Sequence, residues 1–155
     1  GIARIFNTYG PRMAIDDGRV VSNFLVQALN GENITIYGSG NQTRSFCYVD
    51  DLVAGLIKLM KNHCEGGHDP FNLGNPDECF SINELAQIVK EITWSKGLIF
   101  TQKSLPEDDP KRRQPDIWAA KNLLNWEPKW TLKSGLVETR DYFTAKLNEI
   151  KKGKE

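Results

Sequence analysis

The stretch that most narrows what this chain can fold into is GNQTRSFCYVDDL, residues 40–52, which sets an arginine inside a short apolar strand and follows it at once with two aspartates that open a helix. Alternation puts Arg44, Phe46 and Tyr48 on one face of that strand and Thr43, Ser45 and Cys47 on the other. A guanidinium aimed with two aromatic rings into a half-buried layer is costly to desolvate unless an anion or a carboxylate meets it, and its planar fork matches phosphate oxygens. Two readings of Arg44 stand side by side: a ligand for phosphate, or an internal ion pair with Asp50 or Asp51.

The rest of the pattern alternates strands with helices, which indicates α/β architecture. Ala3-Arg4-Ile5-Phe6 reads as a short buried strand, and residues 7–12 form the turn at its carboxyl end, where open α/β sheets hold their ligands. Asp16 or Asp17 is expected to cap a helix whose Val20, Val21, Phe24, Leu25, Ala28 and Leu29 share a face, with Asn30-Gly31 as its stop. Residues 34–37 and 44–49 read as strands separated by a turn, and Asp50 as the cap of a second helix carrying Val53, Leu56, Ile57 and Met60 and ending near Asn62.

A polar loop over 63–70 leads to a strand at 71–73, closed by Gly74-Asn75-Pro76. Ser81-Ile82-Asn83-Glu84 is a capping box in front of Leu85, Ile88, Val89 and Ile92. Residues 97–103 are expected as an edge strand and 104–115 as a charged, proline-bounded loop. Asp116 is expected to cap a helix through Leu124, which Trp126-Glu127-Pro128-Lys129 ends. Leu132, Leu136, Tyr142, Phe143, Leu147 and Ile150 mark a last helix that frays into a disordered tail at 151–155.

Charge and cysteine usage exclude several classes. Twenty basic residues balance twenty acidic ones, so no global field draws the chain to nucleic acid or an anionic membrane, and any anion site is local. The three cysteines, Cys47, Cys64 and Cys79, have no paired metal spacing, and His63 and His68 around Cys64 make a poor ligand set, so no metal is expected. Reduced thiols and a cytoplasmic setting are the simpler account. With 155 residues, 39% of them hydrophobic, the chain can bury one modest core, and no apolar run reaches bilayer length.

Taken in order and at their spacings, ARIFNTYGPRM, DDGRVVSNFLVQAL, TIYGSGNQTRSFCYVDDLV, DDPKRRQPDI and NWEPKW resemble UDP-glucuronate decarboxylase, also called UDP-xylose synthase, within the extended short-chain dehydrogenase/reductase superfamily. The likeness runs from Gly1 to about Phe143. It implies the carboxyl-terminal part of an extended Rossmann-type enzyme: residues 1–12 as the end of an NAD-binding sheet and 13–150 as a nucleotide-sugar-binding region. The implied reaction converts UDP-glucuronate to UDP-xylose and carbon dioxide through an NAD-dependent 4-keto sugar.

The resemblance also implies roles for residues. Arg44 contacts the diphosphate; Asn7 contributes an amide to the nucleotide sugar, as in related epimerases, although an Asx turn is the competing account. Arg113 reaches the diphosphate or orients the sugar carboxylate, and Asp116 meets ribose hydroxyls or simply caps its helix. Arg19, Val20, Thr35, Ile36 and Tyr37 fall where the family lines its nucleotide pocket, with ordinary core as the alternative for Val20 and Ile36. Arg12 and Gln42 are weaker candidates. Ile5, Phe6 and Thr8 fall near the nicotinamide end of NAD, most of whose contacts the family supplies from elsewhere.

Neither the family's glycine-rich βα turn nor its Tyr-x-x-x-Lys pair occurs in these residues. Residue 1 is therefore expected to interrupt a longer protein, whose full-length form is implied to be a homodimer, cytoplasmic or held in the Golgi lumen by an upstream anchor. Two other functions remain open: a 4,6-dehydratase or 4-epimerase of the same superfamily, and a non-catalytic nucleotide-sugar-binding remnant.

Overall fold

The computed structural model describes residues 1–62, 70–102 and 112–153, and its strands gather in four small sheets instead of one. β1 (Ala3–Ile5) pairs in parallel with β6 (Phe71–Leu73), and β2 (Thr8–Tyr9) in parallel with β5 (Cys47–Tyr48). β3 (Ile34–Tyr37) pairs in parallel with β8 (Ile99–Gln102). β4 (Thr43–Ser45) lies between β7 (Cys79–Ser81), antiparallel to it, and β9 (Arg112–Arg113), parallel to it. The architecture is α/β, as the alternation requires.

Several boundaries differ from the sequence expectations, each for a physical reason. The strand expected over 44–49 is two strands, because Phe46 N donates to Glu78 O (3.0 Å) while Cys47 N donates to Asn7 O (2.9 Å), so the chain changes sheets within one residue. The turn expected at 7–12 contributes a two-residue strand to that second sheet. β1, expected to be buried, leaves Ile5 54% exposed, since among the described residues β6 is its one hydrogen-bonded neighbour. Of the loop expected at 104–115, residues 103–111 lie outside the described chain, but Arg112 and Arg113 form a strand. Residues 63–69, with His63, Cys64 and His68, also lie outside it.

The helices keep their expected places but not all their caps. α1 (Val20–Leu29) starts from Arg19, with no side-chain cap; Asp17 instead meets Arg19 Nε at 3.0 Å. α2 (Val49–Lys61) starts from Tyr48, which leaves Asp50 and Asp51 in its first turn, where negative charge suits the helix's positive end. α2 buries Leu52, Gly55 and Leu59 instead of the expected stripe: Val53 and Ile57 are exposed, Met60 is 81% exposed, and Leu56 alone of the four is partly buried against the core. Gly55 sets that face, since a Cβ there would stand 3.0 Å from both Leu73 and Trp126.

The buried Asp51 closes the other side of α2. Its Oδ2 accepts from the amides of Lys129 and Trp130, both at 2.9 Å, and its carbonyl from Trp126 Nε1 at 2.9 Å. This binds the WEP turn to the helix, and it gives the aspartate a role away from Arg44.

α3 (Ile82–Thr93) opens with the expected box: Ser81 Oγ accepts from Glu84 N (3.1 Å) and Glu84 Oε2 from Ser81 N (2.7 Å). It ends at Trp94, left-handed at φ 51° and exposed beneath the Arg140 guanidinium, 5.5 Å from the ring centroid. α4 (Trp118–Leu123) begins two residues after Asp116, whose Oδ1 accepts from Trp118 N at 2.8 Å. α5 (Leu132–Lys152) continues through Lys151 and Lys152, where a disordered tail was expected; lysine is a good helix former and its charge suits the carboxyl end.

Two clusters form the core. Phe24, Leu25, Ile34, Ile36, Leu85, Val89, Leu136 and Phe143 join α1, α3, α5 and β3. Leu52, Leu73, Ala120, Leu124 and Trp126 join α2, β6 and α4. Tyr9 reaches from β2 to α5, its hydroxyl donating to Leu132 O at 3.2 Å.

Candidate functional site

A cavity of about 660 Å³, within the usual range for small-molecule sites, opens where the carboxyl end of the first strand, the start of α1 and the strands β3 and β4 converge. Arg44 is 8% exposed in its wall, with Nη1 donating to Thr43 O at 2.8 Å. Gln42 and Phe46 flank it on the same face, as alternation requires, and Asn7, Thr8, Arg19, Val20, Thr35 and Tyr37 complete the expected lining. Among the described residues the lining contains no Asp, Glu, Lys, His or Cys.

The field in the cavity is positive. α1 presents its amino-terminal turn there with no capping side chain and no acidic residue, so its unpaired amides and the helix dipole favour an anion. β9 adds a second cation beside the first: Arg113 is the register partner of Arg44. Like charges opposed across a strand pair destabilise a sheet unless something negative lies between them.

Not every expected residue is in the lining. Ile36 points the other way, fully buried in the core, because its neighbours Thr35 and Tyr37 take the cavity side of β3. Tyr48, expected to share a face with Arg44, turns into the core after the strand break and lies 4.2 Å, ring to ring, from Trp130. Arg113 and Asp116 lie on the exposed segment after β9, beyond the residues that line the cavity. Asn72 Nδ2 and Gln114 Nε2 hold that segment, donating to Asp116 O and Pro76 O, both at 2.7 Å.

Ile5 and Phe6 also stand outside the lining: Ile5 is exposed, and Phe6 packs across Gly74. Sequence reasoning missed Met13, Asn23, Phe24 and Ile82, which do line the cavity. Of these only Asn23 carried a signal, as a polar position inside an apolar helix start; its Nδ2 donates to Gly18 O at 3.0 Å.

The site is built for binding more than for proton transfer. Tyr9 lines it, but burial first, and then the charge of Glu78, push its phenol far above the ordinary tyrosine value. Cys47, behind the wall, is pushed up to about 12, chiefly by burial. Neither ionises near neutral pH. Among the described residues no cluster of His, Cys, Asp and Glu is suited to a metal, and no helix is long and apolar enough to cross a membrane.

An α/β chain with a cationic cavity at its strand ends is the class these features define, and comparison with known proteins gives the family. Residues 1–74 match the NAD dependent epimerase/dehydratase family. The chain is 54% identical over 147 residues to UDP-glucuronic acid decarboxylase 3 of Arabidopsis thaliana, covering 95% of this chain and 42% of that one. It is 53% identical over 146 residues to UDP-glucuronic acid decarboxylase 1 of Xenopus tropicalis, covering 94% and 34%.

Among solved structures it resembles UDP-glucose 4-epimerase of Thermotoga maritima with UDP-glucose (TM-score 0.85, 33% identity, 94% of this chain and 46% of that one). It also resembles UDP-glucuronic acid 4-epimerase of Bacillus cereus in complex with UDP-glucuronic acid and NAD (TM-score 0.84, 31% identity, 94% and 45%). The chain belongs to the NAD dependent epimerase/dehydratase family, in which its sequence relatives are UDP-glucuronic acid decarboxylases. It spans less than half the length of these relatives.

Proposed function

We propose that this chain is the UDP-sugar-binding portion of a UDP-glucuronate decarboxylase, the enzyme that converts UDP-glucuronate to UDP-xylose and carbon dioxide. The observation that carries the reading is the Arg44–Arg113 register beside a cavity of nucleotide-sugar size that holds no acidic side chain among the described residues. Arg44 and the amino terminus of α1 hold the diphosphate, with Arg113 closing over it or orienting the sugar carboxylate. Asn7, Arg19, Val20, Thr35 and Tyr37 surround the nucleotide sugar, and Asp116 meets the ribose from the edge. Residues 13–150 form the sugar-binding region, and residues 1–12 the edge of the cofactor-binding sheet.

The nicotinamide cofactor implied by the family fits the first strand's end. There Ile5 offers an exposed apolar face and Thr8 lines the cavity with its hydroxyl tied to Phe6 O at 2.8 Å, a surface suited to a flat ring. When bound, the cofactor supplies hydride chemistry at the sugar. The residues named here position the sugar; Tyr9 and Cys47 stay protonated and move no proton. Because the glycine-rich turn and the Tyr-x-x-x-Lys pair are absent from these residues, the chain alone leaves UDP-glucuronate intact when incubated with NAD.

A 4-epimerase is the second reading, favoured by the fold likeness to two UDP-sugar epimerases. The 54% identity to decarboxylases against 31–33% to those epimerases ranks it second. Titration calorimetry with UDP tests the shared part: measurable affinity in the unaltered chain, lost in Arg44→Ala, is expected. Heat indistinguishable from dilution would defeat both readings.

A further inference from the structure

Gln42 is fixed at both ends and left incomplete at its tip. Its carbonyl accepts from Ile82 N at 3.2 Å and its Nε2 donates to Tyr37 O at 3.2 Å, so its backbone is tied to the start of α3 and its carboxamide to the end of β3. The bond to Tyr37 O fixes which carboxamide atom is nitrogen. Oε1 is then an acceptor shielded from solvent with no partner among the described residues. Native proteins rarely leave such an atom unmet, and a site that waits for a ligand donor is one of the few places where they do.

The side chain is part of the cavity wall, on the same strand face as Arg44 and Phe46. Two residues along an extended chain span about 7 Å. With the diphosphate at Arg44, Gln42 lies on the side of the cavity toward Tyr37 and Thr35, beside whatever the diphosphate carries there.

We propose that Gln42 is a specificity-determining residue whose Oε1 accepts a hydrogen bond from the nucleoside of the bound nucleotide sugar; this rests on the nucleotide-sugar reading above. A small turn about the terminal torsion, which is soft in glutamine, brings the oxygen to the cavity surface. Two nucleoside groups have the donor chemistry required, a ribose hydroxyl and the imide N–H of the base. Phosphate oxygens at neutral pH are acceptors and do not.

The test is a binding cycle on the full chain with UDP, 2′-deoxy-UDP and CDP, in the unaltered protein and in Gln42→Ala. Gln42→Ala is expected to weaken UDP about tenfold or more with little change in the melting temperature of the unliganded chain. One analogue should show the same loss against the unaltered protein and no further loss against the variant: 2′-deoxy-UDP if the donor is the ribose hydroxyl, CDP if it is the imide. Undiminished UDP affinity in Gln42→Ala overturns the proposal while leaving the nucleotide reading intact. Equal losses for all three nucleotides with a lowered melting temperature make Gln42 structural and overturn it too. No UDP affinity in the unaltered chain brings down both this inference and the function it rests on.

Discussion

Arg44 of β4 and Arg113 of β9 are register partners in a parallel strand pair, so two guanidinium groups occupy neighbouring positions on one sheet at the edge of the cavity. Nothing in sheet energetics favours that arrangement by itself. An anion between them turns the repulsion into two charge-assisted contacts. Arg44→Ala is expected to cost on the order of 2 kcal/mol in UDP binding, about 30-fold, and Arg113→Ala somewhat less because its side chain is more exposed. Arg44→Lys should recover only part, since an ammonium lacks the paired geometry. Calorimetry reads the affinity and a thermal melt the stability; unchanged affinity with a large fall in melting temperature would end the phosphate assignment.

Gly135 lets two tyrosines reach α5. A Cβ there would stand 2.3 Å from Tyr9 Oη and 2.6 Å from a Tyr48 ring carbon. Gly135→Ala is therefore expected to destabilise by roughly 1–3 kcal/mol despite the better helix propensity of alanine. Adding Tyr9→Phe removes the nearest atom, so in urea unfolding the double variant should lose less than the sum of the two single losses.

What the sequence made legible was local. The capping box at Ser81 and Glu84 lies within four residues, and an arginine in an apolar strand announces itself by its cost. The break at Phe46 was not legible, because it depends on Glu78 and Asn7, distant carbonyls that draw consecutive amides into different sheets. Neither was β9, whose two arginines have no apolar signature and become a strand only because β4 offers an edge. The buried face of α2 was misjudged because a glycine, which carries no hydrophobic signal, admits Leu73 and Trp126. At the cavity the strand period sorted Thr35 and Tyr37 from Ile36, but the sequence alone did not say which face of β3 was inward.

Asp51 holds the WEP turn by accepting two backbone amides with one buried oxygen. Asp51→Ala leaves both amides and the neighbouring Trp126 contact poorly met, and a loss of about 2–3 kcal/mol is expected. Urea unfolding followed by tryptophan fluorescence measures it, since Trp126 and Trp130 flank the damage; a change under 0.5 kcal/mol, roughly the size of an ordinary surface substitution, would contradict this account.

The Cys47 thiol, fully buried and pushed up to about 12, should resist alkylation. The thiolate is the reactive form, and at pH 8 both its ionisation and its access are suppressed. Iodoacetamide at that pH is expected to leave Cys47 unmodified in the folded chain and to label it in urea, as peptide mass mapping would report. Rapid labelling of Cys47 without denaturant would mean that β5 opens far more readily than its packing implies.

The exposed edge of β1 bears on how the chain behaves in solution. Ile5 stands exposed on a strand with one hydrogen-bonded neighbour among the described residues, and Val53, Ile57 and Met60 line up unburied on α2 close by. An unpaired strand edge beside an apolar helix face is a template for other chains. Light scattering should therefore give a mass that climbs above 17.5 kDa as concentration rises. Ile5→Lys places a charge on that edge and should shift the distribution back toward monomer, while Met60→Lys does so through the helix face without touching the strand. If the unaltered chain stays monomeric at high concentration, the edge is satisfied in a way that β1 and β6 alone do not explain. If it associates and neither lysine alters the distribution, association runs through another surface.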